Sequence, residues 1–203
     1  MSLLERYKQD CERRSDINEH LATIYKYACE CESIVELGAG RTSESLLTLA
    51  AALLTSAPEK RQLHFFSADP FNVGEIAQLC ALEDVPLHLR RENIFNMKFD
   101  KEIDMCFIDS DHIFAQMRAE LEKFGLLTKK YIICHDTTID RDLSSLVRMG
   151  QNVKEFAAKY GLKRLECERG IRPAIDKFLA ANPQWKILKE FENNNGLLIL
   201  TKT

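Results

Sequence analysis

Four apolar runs in this chain stop abruptly on glycine, acid or histidine: "SIVELGAG" at 33–40, "LHFFSADP" at 63–70, "IDMCFIDSDH" at 103–112 and "YIICHDTT" at 131–138. Each has the length of a strand, and a run that is apolar throughout suits a strand buried on both faces. Stretches with helical periodicity lie between them. Strands alternating with helices of about 10–15 residues predict a mostly parallel sheet with helices on both faces, a doubly wound α/β architecture. Such a sheet binds its ligands at the carboxyl ends of the strands. Gly38, Gly40, Asp69, Asp109, Asp111, His112, His135 and Asp136 all fall at that end.

The connecting elements follow from local signals. "SDINEHLATIYKYACEC" sets Ile17, Leu21, Ile24 and Ala28 on one helical face, with Asp16 and Glu19 spaced as a capping box, and 1–32 reads as an N-terminal helical segment. "TSESLLTLAAALLTSA" is a helix opened by Thr42 and Ser43. "VGEIAQLCAL" is a further helix, and "VPLHLRREN" a strand. After Asp111, expected as an N-cap, Ile113, Phe114, Met117, Leu121 and Phe124 form a helical face that Gly125 is expected to close as C-cap. The stretch 137–182 is polar and helical, with Pro173 in the first turn of "GIRPAIDKFL". Asn193-Asn194-Asn195-Gly196 then marks a hairpin, so one strand must run antiparallel to its neighbours. With 203 residues and no repeat, low-complexity tract or linker, a single domain 1–203 is expected.

Composition narrows the function classes. A net charge of −3, with basic residues dispersed among acids, gives no field to draw in nucleic acid or an anionic membrane. The start "MSLLERYKQDCERR" is charged throughout, and no window offers the roughly 18 apolar residues of a membrane span, so the expected location is cytoplasmic. Seven cysteines, Cys106 and Cys134 among them inside strand-like runs, read as reduced and structural, and the CxC at Cys29 and Cys31 lacks a second pair at zinc spacing. His20, His64 and His88 lie away from the strand ends and read as structural or surface residues.

The first turn, "ELGAGRTSES", has Ser43 where a dinucleotide fingerprint needs its third glycine. Glu36 and Glu44 flank the turn, and two carboxylates are poor company for a pyrophosphate. They suit a ligand with positive charge. S-adenosylmethionine carries a sulfonium and an ammonium, and its ribose diol asks for an acidic acceptor at the end of the second strand, where Asp69 stands.

The segments "SIVELGAG", "FFSADP", "IDMCFIDSDHIFAQMRAELEKFGLL", "YIICHDT", "GIRPAIDKFL" and "NNNGLLILTK" resemble, in order and spacing, the class I S-adenosylmethionine-dependent methyltransferases. The nearest pattern is the branch with a "FIDGDHSYE" motif after strand four and "HD" after strand five, and the resemblance runs from about residue 15 to the end. It implies a Rossmann-like, seven-stranded sheet with strand seven antiparallel. It also implies S-adenosylmethionine held by Glu36, Gly38, Gly40, Asp69 and Asp109, with Asn93 near the adenine. The chain departs from the pattern around Arg41 and Thr42, where the fuller motif has a third glycine, and at Lys129-Lys130, where Gly-Gly is usual.

Some members of that group use a divalent ion and a base three residues beyond the strand-four aspartate. On that pattern Asp109, His135 and Asp136 are metal ligands for Mg or Mn, and Asp109 and His112 are catalytic, His112 as the base. The expected reaction is methyl transfer to a hydroxyl of a small-molecule acceptor, a polyhydroxylated acceptor slightly ahead of a catechol. The 137–182 segment is expected on the acceptor side, where Arg172 could meet an anionic group, and a homo-oligomer stays open. Two other classes remain: a noncatalytic S-adenosylmethionine-binding protein, and a nucleotide-dependent oxidoreductase. Against the latter stand the missing glycine and an acid about 29 rather than 20 residues past the turn.

Overall fold

The computed structural model describes residues 1–38, 43–68 and 72–203. The four acid-terminated runs are strands: β1 (Ser33–Leu37), β2 (Gln62–Phe66), β4 (Ile103–Ile108) and β5 (Thr128–His135), with β3 (Leu87–Arg90) between the second and third of them. The closing hairpin gives β6 (Trp185–Phe191) and β7 (Leu197–Lys202). They form one seven-stranded sheet in the order β3-β2-β1-β4-β5-β7-β6. Pairing is parallel from β3 through β5 and antiparallel for β5 with β7 and β7 with β6. Asn194, Asn195 and Gly196 take positive φ at the hairpin turn, the conformation Asn and Gly tolerate.

Alternation along each strand divides the core in two. Met105 and Phe107 of β4, Ile133 of β5 and Ile199 of β7 face α1 (Leu3–Glu12), α2 (Asn18–Ala28), α3 (Glu44–Leu53) and α4 (Gly74–Leu82). Cys106, Ile108, Ile132, Cys134, Leu198 and Leu200 face α5 (Phe114–Leu127) and α9 (Arg172–Ala181). Helix α3 is buried along its whole length, and Ala50, Ala51 and Ala52 let it lie close to the sheet. Between β5 and α9, the short helices α6 (Ser145–Arg148), α7 (Val153–Tyr160) and α8 (Arg164–Glu168) build a small third core in which Ile113 and Ala115 meet Leu146, Ala157 and Cys167. Among the described residues no helix is long and apolar enough to cross a membrane.

Several local expectations change. Gly125 does not end α5, which continues to Leu127; a Cβ at Gly125 would run into the ring of Phe178, so this glycine lets α9 pack against α5. Asp111 is not the N-cap, a position held by Ile113 without a side-chain cap, and the Asp111 carbonyl accepts from the Ile113 amide at 2.8 Å. No capping box forms from Asp16 and Glu19, because α2 starts one residue later than that spacing requires and the Ser15 hydroxyl takes the Asn18 amide. A capping box does form at α1, between Ser2 and Glu5. Pro173 does sit in the first turn of α9. Arg172 is spent on Asp176 at 2.8 Å and Glu190 at 2.6 Å.

Candidate functional site

The strand order reverses between β1 and β4, the place where a doubly wound sheet opens a crevice. The two strand ends cross tightly. Gly38 has φ 93°, its amide donates to the Phe66 carbonyl at 2.8 Å, and a Cβ there would collide with the backbone of Asp109. The crevice opens into a cleft of about 430 Å3, within the range of small-molecule sites. Asp16, Ile17, Gly38, Glu44, Ser45, Asp109, Asp111, His112, Asp136 and Arg148 are among the residues that line it.

Two histidines and three aspartates converge on the floor between the ends of β4 and β5. The His112 Nδ1 lies 3.0 Å from Asp136 Oδ2 and 3.2 Å from Asp140 Oδ2, and its Nε2 is 3.5 Å from Asp109 Oδ1. His135 is 2% exposed; its Nε2 donates to the Asp16 carbonyl at 3.1 Å, and its Nδ1 lies 3.1 Å from Asp109 Oδ1 and 3.5 Å from Asp136 Oδ1. Asp136 is held at φ 56°, the left-handed region that Asp tolerates better than most residues, and local strain of this kind is common at functional sites. Asp140 is fully buried and gripped by Arg148, Nε to Oδ1 at 2.6 Å and a terminal nitrogen to Oδ2 at 2.9 Å. Helix α6 is set by Ser145, whose amide donates to the His112 carbonyl at 3.1 Å.

The electrostatics follow from this crowding. Burial would raise the Asp109 carboxyl, but the charge of His135 and hydrogen bonds to His112 and His135 outweigh it and hold it well below the usual carboxylate range. Burial would lower His112, but hydrogen bonds to Asp109, Asp136 and Asp140 push it well above the ordinary imidazole value. His135, with burial opposed chiefly by Asp109, is pushed up to about 9.

The donor pattern fits a cation. Donor atoms of Asp109, His112 and Asp136 lie within 4.8 Å of one another, and two of the buried atoms there, His112 Nε2 and Asp136 Oδ1, make only long approaches, at 3.5 Å to the facing Asp109 Oδ1 and His135 Nδ1 respectively. Each histidine offers one ring nitrogen to a backbone carbonyl or carboxylate and turns the other toward Asp109, the arrangement that prepares an imidazole for a metal. The set expected from sequence was Asp109, His135 and Asp136; the compact group has the same two carboxylates with His112 as its imidazole, while His135 Nδ1 lies 3.1 Å from Asp109 Oδ1 and 3.5 Å from Asp136 Oδ1.

The remaining sequence candidates are placed as follows. Asn93 lines a separate small cavity beside the cleft, with Gly38, Ser110 and Glu120. Glu36, in β1, is 1% exposed and accepts from the Ser45 hydroxyl at 2.5 Å, and burial raises its carboxyl well above the usual range. Gly40 and Asp69 lie outside the described residues. Ser43, at the N-cap of α3, has φ 53° and makes no side-chain cap. Glu44 pairs with Arg13 at 2.7 Å. Asp140, Arg148 and Glu120 escaped the sequence reading. The only trace of Asp140 is its spacing four residues after Asp136, and its amide does bond to the Asp136 carbonyl at 3.1 Å.

Neither a family model nor a curated protein sequence matches the chain. Solved structures do match over its whole length. The O-methyltransferase TomG from Streptomyces achromogenes, involved in tomaymycin synthesis and solved with S-adenosylmethionine, aligns at 14% identity over 100% of this chain and 90% of that one, TM-score 0.60. The S-adenosylhomocysteine-bound methyltransferase PaMTH1 from Podospora anserina aligns at 17% identity over 99% and 87%, TM-score 0.58. The N-methyltransferase NodS from Bradyrhizobium japonicum WM9, with S-adenosylhomocysteine, aligns at 11% over 100% and 99%, TM-score 0.53. At these identities the likeness is one of fold. The chain has the Rossmann-like fold of methyltransferases, a seven-stranded mixed sheet with helices on both sides.

Proposed function

We propose that this protein transfers the methyl group of S-adenosylmethionine to a hydroxyl oxygen of a small-molecule acceptor, with a divalent cation held by Asp109, His135 and Asp136. The observation that carries the reading is the convergence of Asp109, His112, His135 and Asp136 between the ends of β4 and β5, on the floor of a cleft rich in carboxylates. Acidic lining favours a ligand bearing sulfonium and ammonium charges and disfavours a pyrophosphate. Fold neighbours solved with S-adenosylmethionine or S-adenosylhomocysteine support the same donor.

Bound here, S-adenosylmethionine supplies an electrophilic methyl on sulfur, and a divalent cation supplies a Lewis acid that acidifies the acceptor hydroxyl. The chain's own residues supply alignment and a place for the proton. Gly38 and Ser45 shape the wall where β1 turns into α3, and Asp109 stands at the crossing beneath. His112 is oriented by Asp136 and Asp140, which accept from Nδ1 and leave Nε2 facing Asp109 at 3.5 Å. With a cation seated beside Asp109, the His112 imidazole that the aspartates hold protonated in the metal-free chain would release its Nε2 proton, and Nε2 would then accept the hydroxyl proton as the oxygen–methyl bond forms and the carbon–sulfur bond breaks, leaving neutral S-adenosylhomocysteine. Residues 137–182 carry Ser145, Leu146 and Met149 to the opposite wall and form the acceptor side.

Calorimetric titration with S-adenosylmethionine and with NAD, each with and without Mn²⁺, tests the reading. Saturable binding of the first and silence toward the second are expected, followed by methylation of at least one acceptor in a panel of catechols and polyhydroxylated compounds. Binding of NAD with no response to S-adenosylmethionine would sink it.

A further inference from the structure

A second recess, which shares no lining residue with the cleft, lies between α5 and α9 and measures about 490 Å3, also within the small-molecule range. Arg118, Leu121 and Leu126 line it from α5, and Lys177, Phe178 and Ala181 from α9. On each helix these residues fall at the spacings that set side chains on one face. Between Arg118 and Leu126 the helix advances about 12 Å, and that stretch of wall is apolar, with Leu126 itself 70% exposed.

The Arg118 end is cationic. Arg118 and Lys177 lean on the ring of Phe114, in the first turn of α5, at 5.6 and 4.9 Å from its centroid, and Arg169 approaches the same ring at 4.8 Å. The ring attracts each cation but leaves their mutual repulsion in place. Of the three, only Arg118 has an ion-pair partner among the described residues, Glu166 at 3.1 Å, and its Nε is buried without a hydrogen-bond partner among them. On the lining itself Glu122 stands as one acid against Arg118 and Lys177. Cations at one end and an apolar wall beyond them match an amphipathic anion. A protein partner would need roughly 1,000 Å2 of buried surface, whereas this recess is concave and of ligand size.

We propose that the α5/α9 groove binds the anion of an aliphatic carboxylic acid, with the carboxylate between Arg118 and Lys177 and the chain along Leu121, Leu126 and Ala181. The head group relieves the repulsion around Phe114, and the planar guanidinium of Arg118 suits a carboxylate. The chain covers the exposed Leu126. This site does not depend on the methyl-transfer reading, and neither falls with the other.

Trp185, the single tryptophan of the chain, reports on the groove, because its ring lies 6.1 Å from that of Phe178. The test is calorimetric titration of the full chain with dodecanoate below its micellar concentration, with acetate and dodecyltrimethylammonium as controls, and quenching of Trp185 by ω-bromododecanoate. Saturable one-site binding of dodecanoate, silence toward acetate and the ammonium, and quenching by the bromine are expected. Arg118→Gln/Lys177→Gln should weaken dodecanoate binding about tenfold, the worth of a lost charge-assisted hydrogen bond, and Leu126→Asp, at an exposed position, should weaken it as much. Equal affinity for dodecanoate and the ammonium, no quenching, or an affinity unchanged in a folded variant overturns the proposal. Circular dichroism checks each fold, and should one variant lose it the other decides. A dimer of the parent chain that Leu126→Asp dissociates in sedimentation velocity would give the groove to a second copy of the chain and overturn the proposal as well.

Discussion

His112 and His135 stand within hydrogen-bond reach of the same carboxylates but are not equivalent. His135 is locked by the Asp16 carbonyl on one nitrogen and has Asp109 and Asp136 before the other. His112 is turned by Asp136 and Asp140 so that Nε2 faces Asp109. His135→Ala should therefore weaken Mn²⁺ binding measured by calorimetry, whereas His112→Ala should retain the ion and lose about 10²–10⁴-fold in turnover, the usual worth of a general base. Loss of Mn²⁺ binding in His112→Ala alone would exchange the two roles. Both imidazoles are held protonated by the surrounding aspartates, so a cation entering between Asp109 and Asp136 must displace protons. Affinity for Mn²⁺ should accordingly rise with pH up to about 9, where His135 titrates, and proton release should show as a buffer-dependent binding enthalpy. A pH-independent affinity between pH 6 and 9 would place the ion elsewhere.

At the scale of elements, the site depends on how α5 and α9 meet. Helix α5 carries Gln116 and Glu120 toward the sheet end and is clamped from behind by Phe178 of α9, whose ring fills the space left by Gly125. Gly125→Ala gains helix propensity but drives a methyl into that ring, and overpacking of this kind costs about 1–3 kcal/mol. A lowered midpoint of urea unfolding is expected, with recovery in the double variant Gly125→Ala/Phe178→Leu. A stabilised single variant would mean that α9 shifts freely. The same glycine explains where sequence reading fails. The strands were legible because apolar runs and their stops are local signals, and Asn193 to Gly196 announce the hairpin by backbone preference alone. A glycine late in a helix signals either a cap or a close neighbour, and only the partner, Phe178, tells which. The clustering of Asp109, His112, His135 and Asp136 was readable because strand ends in a parallel sheet share one edge. Asp140, Arg148 and the Asp16 carbonyl were not, since their roles arise from how the segment after β5 and the chain before α2 fold back over that edge.

For the whole molecule, the buried acids and imidazoles set a pH profile of stability that is unlike that of a protein with only surface charges. In the metal-free chain, Glu120 titrates near 8 against an ordinary 4.5, and His135 near 9 against 6.5, each raised on folding. Glu36 is raised as well, by burial above all. A group raised on folding binds its proton more tightly in the native state, so stability falls as pH climbs from its unfolded to its folded value, by up to about 1.4 kcal/mol per pH unit for each such group. The windows of Glu120 and His135 overlap, and stability should decline steadily from about pH 5 to pH 9. Toward acid the sign reverses, because Asp109 and Asp140 are held below the usual range, Asp109 by His135 and Asp140 by hydrogen bonds to His112 and Arg148, each against an opposing burial effect. Their contribution is lost as pH falls through their folded values, which places the optimum near pH 5. Urea midpoints at pH 5, 7 and 9 test this: the order should be highest at 5 and lowest at 9. Glu120→Gln removes one proton from the count and should flatten the slope between pH 5 and 8. Stability rising toward pH 9 in the metal-free chain would mean that Glu120 and His135 are solvated rather than buried.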